Sequence, residues 1–263
     1  MTPSNFLIRG LLAGLLAGFI SFAVAYTVGE PQVEAAIAVE EAGSAAASAE
    51  GTADDGHSHS HAEEDADTVV SRDTQSTWGL ATGILAVSTA IGGVIGLVSA
   101  FAVGRLGRMS PGQSTAVIAL IGFVAVWLVP FLKYPATPPA VGNPDTIGDR
   151  TLTYFAMQAI SLLAAIGVVL LARRLLGNLG TYRTLLVTGG TYLLIVIVAG
   201  LLLPTVNEIG DFPADTLWYF RRASLLTNAA MWGSLGLILA GLIGRLYAQE
   251  SRAAARKDLA ASL

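Results

Sequence analysis

The sequence predicts an all-α integral membrane protein: a six-helix transmembrane bundle with a long acidic, histidine-containing outward loop after the first helix. Hydrophobic residues make up 53% of the 263 residues and charged residues only 13%, so most of the chain cannot be the surface of a soluble domain. A helix needs about 20 mostly apolar residues to cross the hydrocarbon. Six segments reach that length: 6–28, 78–103, 114–132, 152–172, 184–203 and 223–244.

A single membrane domain, 1–263, accounts for the chain, because nothing outside the apolar segments is long enough to bury a core of its own. The longest polar stretch is an acidic insert, 29–77, and a basic cytoplasmic tail is expected at 245–263. Cysteine is absent, which excludes disulfides, thiolate metal sites and a cysteine nucleophile. Any metal must therefore be held by oxygen, nitrogen or thioether sulfur.

The basic residues predict the orientation, because cytoplasmic loops retain Lys and Arg. Most of them follow the second, fourth and sixth spans, whereas the acids concentrate in the insert and in the loops after the third and fifth spans. We therefore expect a multi-pass protein of the plasma (inner) membrane with both termini cytoplasmic. Ala23, Val24 and Ala25 also fit a signal-peptide cleavage site, although the apolar run before them is long for a signal peptide.

The first two spans contain glycines at four-residue spacing, a pattern that lets transmembrane helices approach closely. Such glycines are common in any polytopic protein, so they indicate a bundle and no particular function. They are Gly10, Gly14 and Gly18 in the first span, and Gly79, Gly83, Gly92 and Gly96 in the second.

The acidic insert divides into two parts. Residues 31–47 carry Ala and Glu at helical intervals and predict a short helix leaving the membrane. Glu30, Glu34 and Glu41 are candidate metal ligands on this helix. Residues 48–73 are small, polar and acidic, and we expect them to be disordered.

The three histidines of the chain alternate with serines in the second part of the insert. In an extended chain the imidazoles of His57, His59 and His61 point the same way. Imidazole with carboxylate neighbours is a reasonable ligand set for a borderline divalent ion, and we interpret this tract as an outward antenna. A solvated low-complexity linker is the alternative. A flexible site of this kind cannot itself choose cobalt(II) over nickel(II) or zinc(II).

Two later stretches match each other without a gap. The same offset of 74 residues relates Pro130 to Pro204 and Met157 to Met231. This match predicts an internal parallel repeat of two-helix hairpins, with the first two spans as a third, diverged copy. Chance coincidence among abundant Gly, Ala and Pro is the alternative.

The two prolines are expected to close their helices and to leave carbonyl groups without partners. Free carbonyls at a helix C-terminus attract cations. The loop after the fifth span adds candidate oxygen ligands: Asn207, Glu208, Asp211 and Asp215. Each acid could instead pair with a nearby base, and the candidates for that are Lys133, Arg150, Arg221 and Arg222.

Met157 and Met231 lie about two turns inside the fourth and sixth predicted helices. Two thioethers below an oxygen-rich vestibule would suit a soft or borderline ion. Ordinary packing in the core is the alternative, since methionine is a common gap-filling residue.

Several motifs are absent from the sequence. There is no phosphate-binding G-x-x-x-x-G-K-[ST] segment and no HExxH, and no charged residue lies at the centre of a predicted span, as a proton-coupled pump would require. We therefore expect neither an enzyme nor an ATP-driven motor, and neither a resident cofactor nor a nucleic-acid partner. The membrane potential, worth ~2.3 kcal/mol per charge per 100 mV, could drive a divalent ion inward.

The proline loops resemble a known family. Lys133-Tyr134-Pro135, Asn207-Glu208 and Glu30-Pro31 are similar to the CbtA-type cobalt transporter subunits, and the resemblance covers nearly the whole chain outside the histidine tract and the tail. It implies a role in cobalt uptake linked to cobalamin supply, with a small, single-span, histidine-containing CbtB-type partner. It also implies five spans, one fewer than the apolar segments predict.

Two functions are compatible with these features. The first is a membrane subunit for divalent cobalt uptake, in which the acidic loop captures the ion and the proline-broken helix ends form its mouth. The second is a non-transporting subunit that collects metal and delivers it to a separate permease. In both cases the expected partners are membrane lipid, the divalent ion and another subunit, and a homo-oligomer is also compatible with the sequence.

Overall fold

The computed structural model of the chain describes residues 2–50, 70–107, 109–139 and 141–262, with the backbone alone for 46–50. All regular structure in this part of the chain is helical, which confirms the all-α class. The helices are α1 (Pro3–Val24), α2 (Glu30–Glu50), α3 (Arg72–Thr74), α4 (Leu80–Ala102), α5 (Pro111–Gly122), α6 (Val129–Lys133), α7 (Ile147–Leu202) and α8 (Ala214–Ala261). Wider π-helical turns occur at Ala25–Gly29, Gln75–Gly79 and Phe123–Leu128, and a 3₁₀ turn at Pro144–Thr146 precedes α7.

The described residues contain five continuous helical runs that are long and apolar enough to cross a membrane. The prediction of several helices able to span a membrane is thus confirmed, whereas the predicted count of six separate helices is not. The fourth and fifth predicted spans, 152–172 and 184–203, both lie within α7, because the basic stretch between them is itself helical. The five runs are Pro3–Ala45, Arg72–Ala102, Pro111–Lys133, Pro144–Leu202 and Ala214–Ala261.

Helix α7 reverses direction at Gly180. The backbone there has φ 71° and ψ 170°, a conformation that is essentially restricted to glycine. The hydroxyls of Ser161 and Tyr192 lie on opposite sides of this point and only 2.7 Å apart. A straight helix would separate residues 31 positions apart by roughly 46 Å, so α7 is a hairpin of two antiparallel helical halves.

Helices α1 and α4 cross with their backbones in contact. A Cβ atom on Gly14 would lie 2.3 Å from the Ser88 carbonyl oxygen, and one on Gly10 would lie 2.3 Å from that of Gly92. The predicted glycine pattern therefore does bring these helices together, although Gly83 of the same pattern has open space around it. In a bilayer, close contact of this kind replaces the hydrophobic effect as the source of helix association.

The main apolar cluster is built on helix α8. Leu235, Leu239 and Ile243 are fully buried at four-residue intervals and pack with residues of α1, α4 and α5. A second cluster holds the α7 hairpin together around Met157, Val196 and Ala199, with Val129 of α6. The structure thus has a scaffold of α1, α4, α5 and α8, and the hairpin joins it mainly through the chain around α6.

Pro130 lies inside helix α6, so the prediction that it closes its helix is wrong. A proline disrupts an α-helix because it lacks an N–H group and clashes with the carbonyl four residues earlier. Here the π-helical turn Phe123–Leu128 comes immediately before α6 and changes the spacing of the backbone. The carbonyl four residues before Pro130 belongs to Val126, and it accepts a 2.9 Å hydrogen bond from the Gln158 side chain.

Pro204 behaves differently from Pro130. Helix α7 ends at Leu202 and the chain becomes extended at Leu203, so the second proline does follow a helix end, as predicted. The two prolines therefore occupy different backbone environments. The internal repeat that relates them stays a prediction.

The acidic insert begins as a direct continuation of the first span. Helix α2 extends to Glu50, and α3 begins at Arg72, so both ends of the stretch predicted to be disordered are helical. The middle of the insert, including His57, His59 and His61, lies outside the described residues.

The α1–α4 crossing can be tested with two alanine substitutions. We expect Gly14→Ala to destabilise the protein by about 1–3 kcal/mol, because the new methyl group overlaps the Ser88 carbonyl. Gly83→Ala is the matched control, since nothing lies within 4 Å of its added Cβ, and it should be neutral or stabilising. Thermal unfolding in detergent measures both. Equal melting temperatures for the two variants would contradict the crossing.

Candidate functional site

A cavity of about 510 Å³ lies where the loop after α6 meets the loop after α7. Its wall is aromatic on one side, where Trp127 and Phe131 stack with ring centroids 4.6 Å apart. Polar groups converge on the other side. The polar and charged lining residues are Thr137, Arg150, Thr151, Glu208, Arg221 and Ser224, and the aromatic ones are Trp127, Phe131, Tyr134, Tyr154 and Phe155.

The two loops are joined by a direct hydrogen bond. The hydroxyl of Tyr134 donates to the carbonyl oxygen of Pro204 at 2.7 Å. That carbonyl is therefore not free, and with Val126 also bonded, both proline segments have carbonyl groups with protein partners. The prediction of free carbonyl groups therefore fails for Val126, whereas for the carbonyl groups that precede Pro204 it stays a prediction.

Glu208 is the centre of the polar network. Its Oε2 accepts 2.9 Å hydrogen bonds from the Asn143 backbone N–H and from the Thr146 hydroxyl, and it lies 3.5 Å from Arg150 Nε. The pKa of Glu208 is lowered chiefly by the Asn143 and Thr146 hydrogen bonds, with a further contribution from the Arg150 charge. The carboxylate is therefore held ionised, and it ties the two loops together.

Gly142 leaves the space that the Arg150 guanidinium occupies in this network. Its φ is 109°, in the left-handed region that favours glycine, and an added Cβ would lie 2.0 Å from the Arg150 guanidinium. Arg150 also donates to the Asn143 carbonyl at 3.0 Å. A side chain at position 142 would displace the arginine and open the network.

The bases that could have paired with acids take different partners. Arg150 does pair with Glu208. Arg221 donates to the Ala136 carbonyl at 3.3 Å, which fixes the first loop to the start of α8. Lys133 and Arg222 lie over aromatic rings, 5.5 Å from the Tyr134 centroid and 4.8 Å from the Tyr219 centroid respectively. The ion-pair alternative therefore applies to one of the predicted acids in these loops.

Glu30 lies at the base of the insert and is buried, with 8% of its surface exposed. Its carboxylate forms an ion pair with Arg72, across 42 residues of sequence. This contact joins the helix that begins the insert to the helix that ends it. Sequence analysis missed Arg72 because nothing local indicates which base faces a buried glutamate.

The other predicted oxygen ligands are exposed on the surface. Glu34, Glu41, Asn207, Asp211 and Asp215 all belong to this group. Within the described residues, which exclude the histidine tract, no three acidic or histidine side chains come close enough to form a metal site. A metal site among these residues stays a prediction.

The two methionines lie in different parts of the protein. Met157 belongs to the cluster of the α7 hairpin, whereas Met231 belongs to the main cluster on α8. Both are buried among apolar side chains. These surroundings favour packing as the role of Met231. Met157 is also packed among apolar side chains, but it lies one helical turn from Ser161, whose hydroxyl bonds Tyr192.

Sequence reasoning missed Tyr134 and Gln158 as members of the site network. A signal existed for Gln158, because an isolated amide within an apolar span needs a polar partner, and a proline in a neighbouring helix provides a carbonyl that needs a donor. Tyr134 stood in the Lys-Tyr-Pro run but had no predicted role.

The Glu208 network predicts a pH-dependent stability. Because the folded-state pKa of Glu208 is lowered from 4.5, its contribution is complete above that value and is lost as the pH falls through the lowered pKa. We expect Glu208→Gln to lower the melting temperature at neutral pH, with the difference from the parent protein shrinking below pH 4.5. Glu34→Gln, at an exposed position, is the control. A difference that does not change with pH would contradict the network.

Comparison with known proteins identifies the family. No curated protein and no solved structure matches the chain. A family profile described as a probable cobalt transporter subunit (CbtA) matches residues 4–244. The match covers all five apolar helical runs except the ends of the first and last, so the chain is a member of the CbtA family of cobalt transporter subunits.

Proposed function

We propose that this chain is the membrane subunit of an uptake transporter for divalent metal, with cobalt(II) as the transported ion. Its family membership carries the proposal, and the cavity between the proline loops supports it. In this proposal the exposed acids and the histidine tract collect the ion outside. The ion then reaches the cavity between the loops.

We further propose that the α7 hairpin crosses the membrane twice, which gives six crossings and places both termini in the cytoplasm. The reversal at Gly180 and the basic residues near it, Arg173, Arg174 and Arg183, support a cytoplasmic turn. The cavity loops then lie on the outer side of the plasma membrane. In this topology the histidine tract and the cavity face the same compartment.

The division of roles among the acids follows from their surroundings. Glu208 accepts two hydrogen bonds on one carboxylate oxygen and is ion-paired with Arg150, so it serves to hold the loops in place. Asp211 and Asp215 are exposed beside it and are better suited to attract a cation. Glu34 and Glu41 do the same on helix α2, since surface carboxylates raise the local concentration of a divalent ion.

As a transporter subunit the chain acts with another protein, for which we propose the small single-span CbtB-type partner. No enzymatic reaction and no resident cofactor enter the proposed function. The ion is cargo, driven inward by the membrane potential at about 4.6 kcal/mol per 100 mV for two charges.

Uptake of radiolabelled cobalt tests the transport proposal. Cells that express this chain with its partner should accumulate cobalt faster than cells that express the partner alone, and collapse of the membrane potential should abolish the difference. Gly14→Ala, which should disrupt the scaffold, serves as a loss-of-fold control. Equal accumulation with and without the chain would reject transport.

Deletion of 51–69, which keeps Arg72 and its ion pair with Glu30, separates the two proposed functions. If the chain transports, the deletion should slow uptake only when cobalt is scarce, because the tract raises local concentration without forming the route. If the chain only collects metal for a separate permease, uptake should fail at every concentration. Replacement of His57, His59 and His61 by Asn is the matched variant that removes imidazole while keeping the length of the insert.

A further inference from the structure

A row of polar side chains runs from the outer cavity into the α7 hairpin. Thr151 and Tyr154 line the cavity, and Gln158 and Ser161 follow on the same face of α7, since residues three and four apart are neighbours on a helix. Gln158 bonds the Val126 carbonyl. A row of polar groups therefore leads inward from the cavity wall along an apolar helical run of the chain.

The returning half of the hairpin continues this row. Tyr192, Thr188 and Thr184 are spaced at four-residue intervals, and the Tyr192 hydroxyl meets Ser161 at 2.7 Å. Thr188 is 4% exposed and donates to the Thr184 carbonyl at 2.7 Å. We call Gln158, Ser161, Tyr192, Thr188 and Thr184 the polar face.

Thr184 stands out among these residues. Its residue surface is 1% exposed, and its Oγ1 has no hydrogen-bond partner among the described residues. Buried hydroxyls almost always have a partner, and an unpaired one is more costly still inside a bilayer. The other buried side-chain atom without a hydrogen bond in the described chain is Arg150 Nε, in the wall of the cavity. Arg150 Nε is nevertheless ion-paired with Glu208 at 3.5 Å, so of these two atoms only Thr184 Oγ1 is without a polar partner.

We propose that the polar face is the route by which a divalent cation passes from the outer cavity toward the cytoplasmic end of the hairpin. This inference rests on the proposed transport function. The ligands along it are neutral oxygens, which replace part of the hydration shell of the ion. Binding in a pathway must be strong enough to admit an ion and weak enough to release it, and neutral oxygens hold a dication less firmly than carboxylates do.

Packing alone accounts for part of the polar face, because Ser and Thr often lie between transmembrane helices. Packing does not account for an unpartnered oxygen at Thr184, nor for the continuity of the row with the cavity. In this conformation Ser161 and Tyr192 are in contact, so passage requires the halves of the hairpin to separate. Gly180, where the helical geometry is already interrupted, is the joint between them.

Cysteine labelling tests the route directly, because the chain has no native cysteine. We expect Thr184→Cys and Thr188→Cys to react with a cationic, membrane-impermeant methanethiosulfonate reagent, and cobalt to slow the reaction. Leu186→Cys is the matched control on the same half of the hairpin, since Leu186 is 58% exposed and lies two residues from both threonines, on the opposite side of the helix. It should show no protection by cobalt.

Uptake measurements give a second test. Thr184→Val and Thr188→Val should each reduce the initial rate of cobalt uptake by about tenfold, the size expected for loss of one oxygen contact to an ion. Thr184→Ser should retain uptake, and Leu186→Val, on the opposite side of the helix, should match the parent. Normal uptake in both valine variants, with no cobalt protection of the cysteine variants, would overturn the route while leaving transport intact. If the parent protein itself takes up no cobalt, the proposed function fails and the route fails with it.

Discussion

The reversal of the chain at Gly180 is the constraint on which the rest of the structure depends. Helix α7 has 56 residues, and a straight helix of that length would be roughly 84 Å long, far beyond the thickness of a bilayer. Arg150, near its beginning, could not then reach Glu208, just past its end. The Arg150–Glu208 pair, the Tyr134–Pro204 hydrogen bond and the cavity between the loops all require the chain to double back.

The bilayer imposes a second constraint, since backbone groups in lipid must find partners within the protein. Pro130 shows how this chain meets it. The proline removes one donor, a π-helical turn accommodates the ring, and Gln158 on a neighbouring helix bonds the Val126 carbonyl. The Gln158–Val126 hydrogen bond thus joins the α7 hairpin to the π-helical turn that precedes α6. At the other side of the bundle, Gly10 and Gly14 let α1 and α4 associate through backbone contact.

Local sequence patterns predicted much of this arrangement. Apolar length predicts the spanning helices, and glycine spacing indicates close helix contact without saying which helices meet. Arg150 is one of four bases that could pair with an acid, and the structure selects Glu208 as its partner. The patterns failed where long-range contacts decide the outcome. Pro130 remains in a helix because of a π turn, and Glu30 is buried against Arg72 from the far end of the insert. The helix count differs because the basic stretch near Gly180 is helical, so the turn is revealed by the φ/ψ values of Gly180 and by contacts between the two halves, such as Ser161–Tyr192.

The site is therefore better described as two loops joined by a hydrogen bond and an ion pair than as an open ring of acidic side chains. Glu208 holds the loops, exposed carboxylates surround them, and neutral oxygens lead inward along the hairpin. In the proposed topology the loop at Asn207 lies outside the cell and the turn near Tyr182 lies inside it. Both residues are exposed. Single-cysteine variants Asn207→Cys and Tyr182→Cys, treated with a membrane-impermeant maleimide, test that claim most directly. Labelling of intact cells at position 207, and at position 182 only after permeabilisation, is the predicted result. Labelling of both positions from the same side would contradict the account.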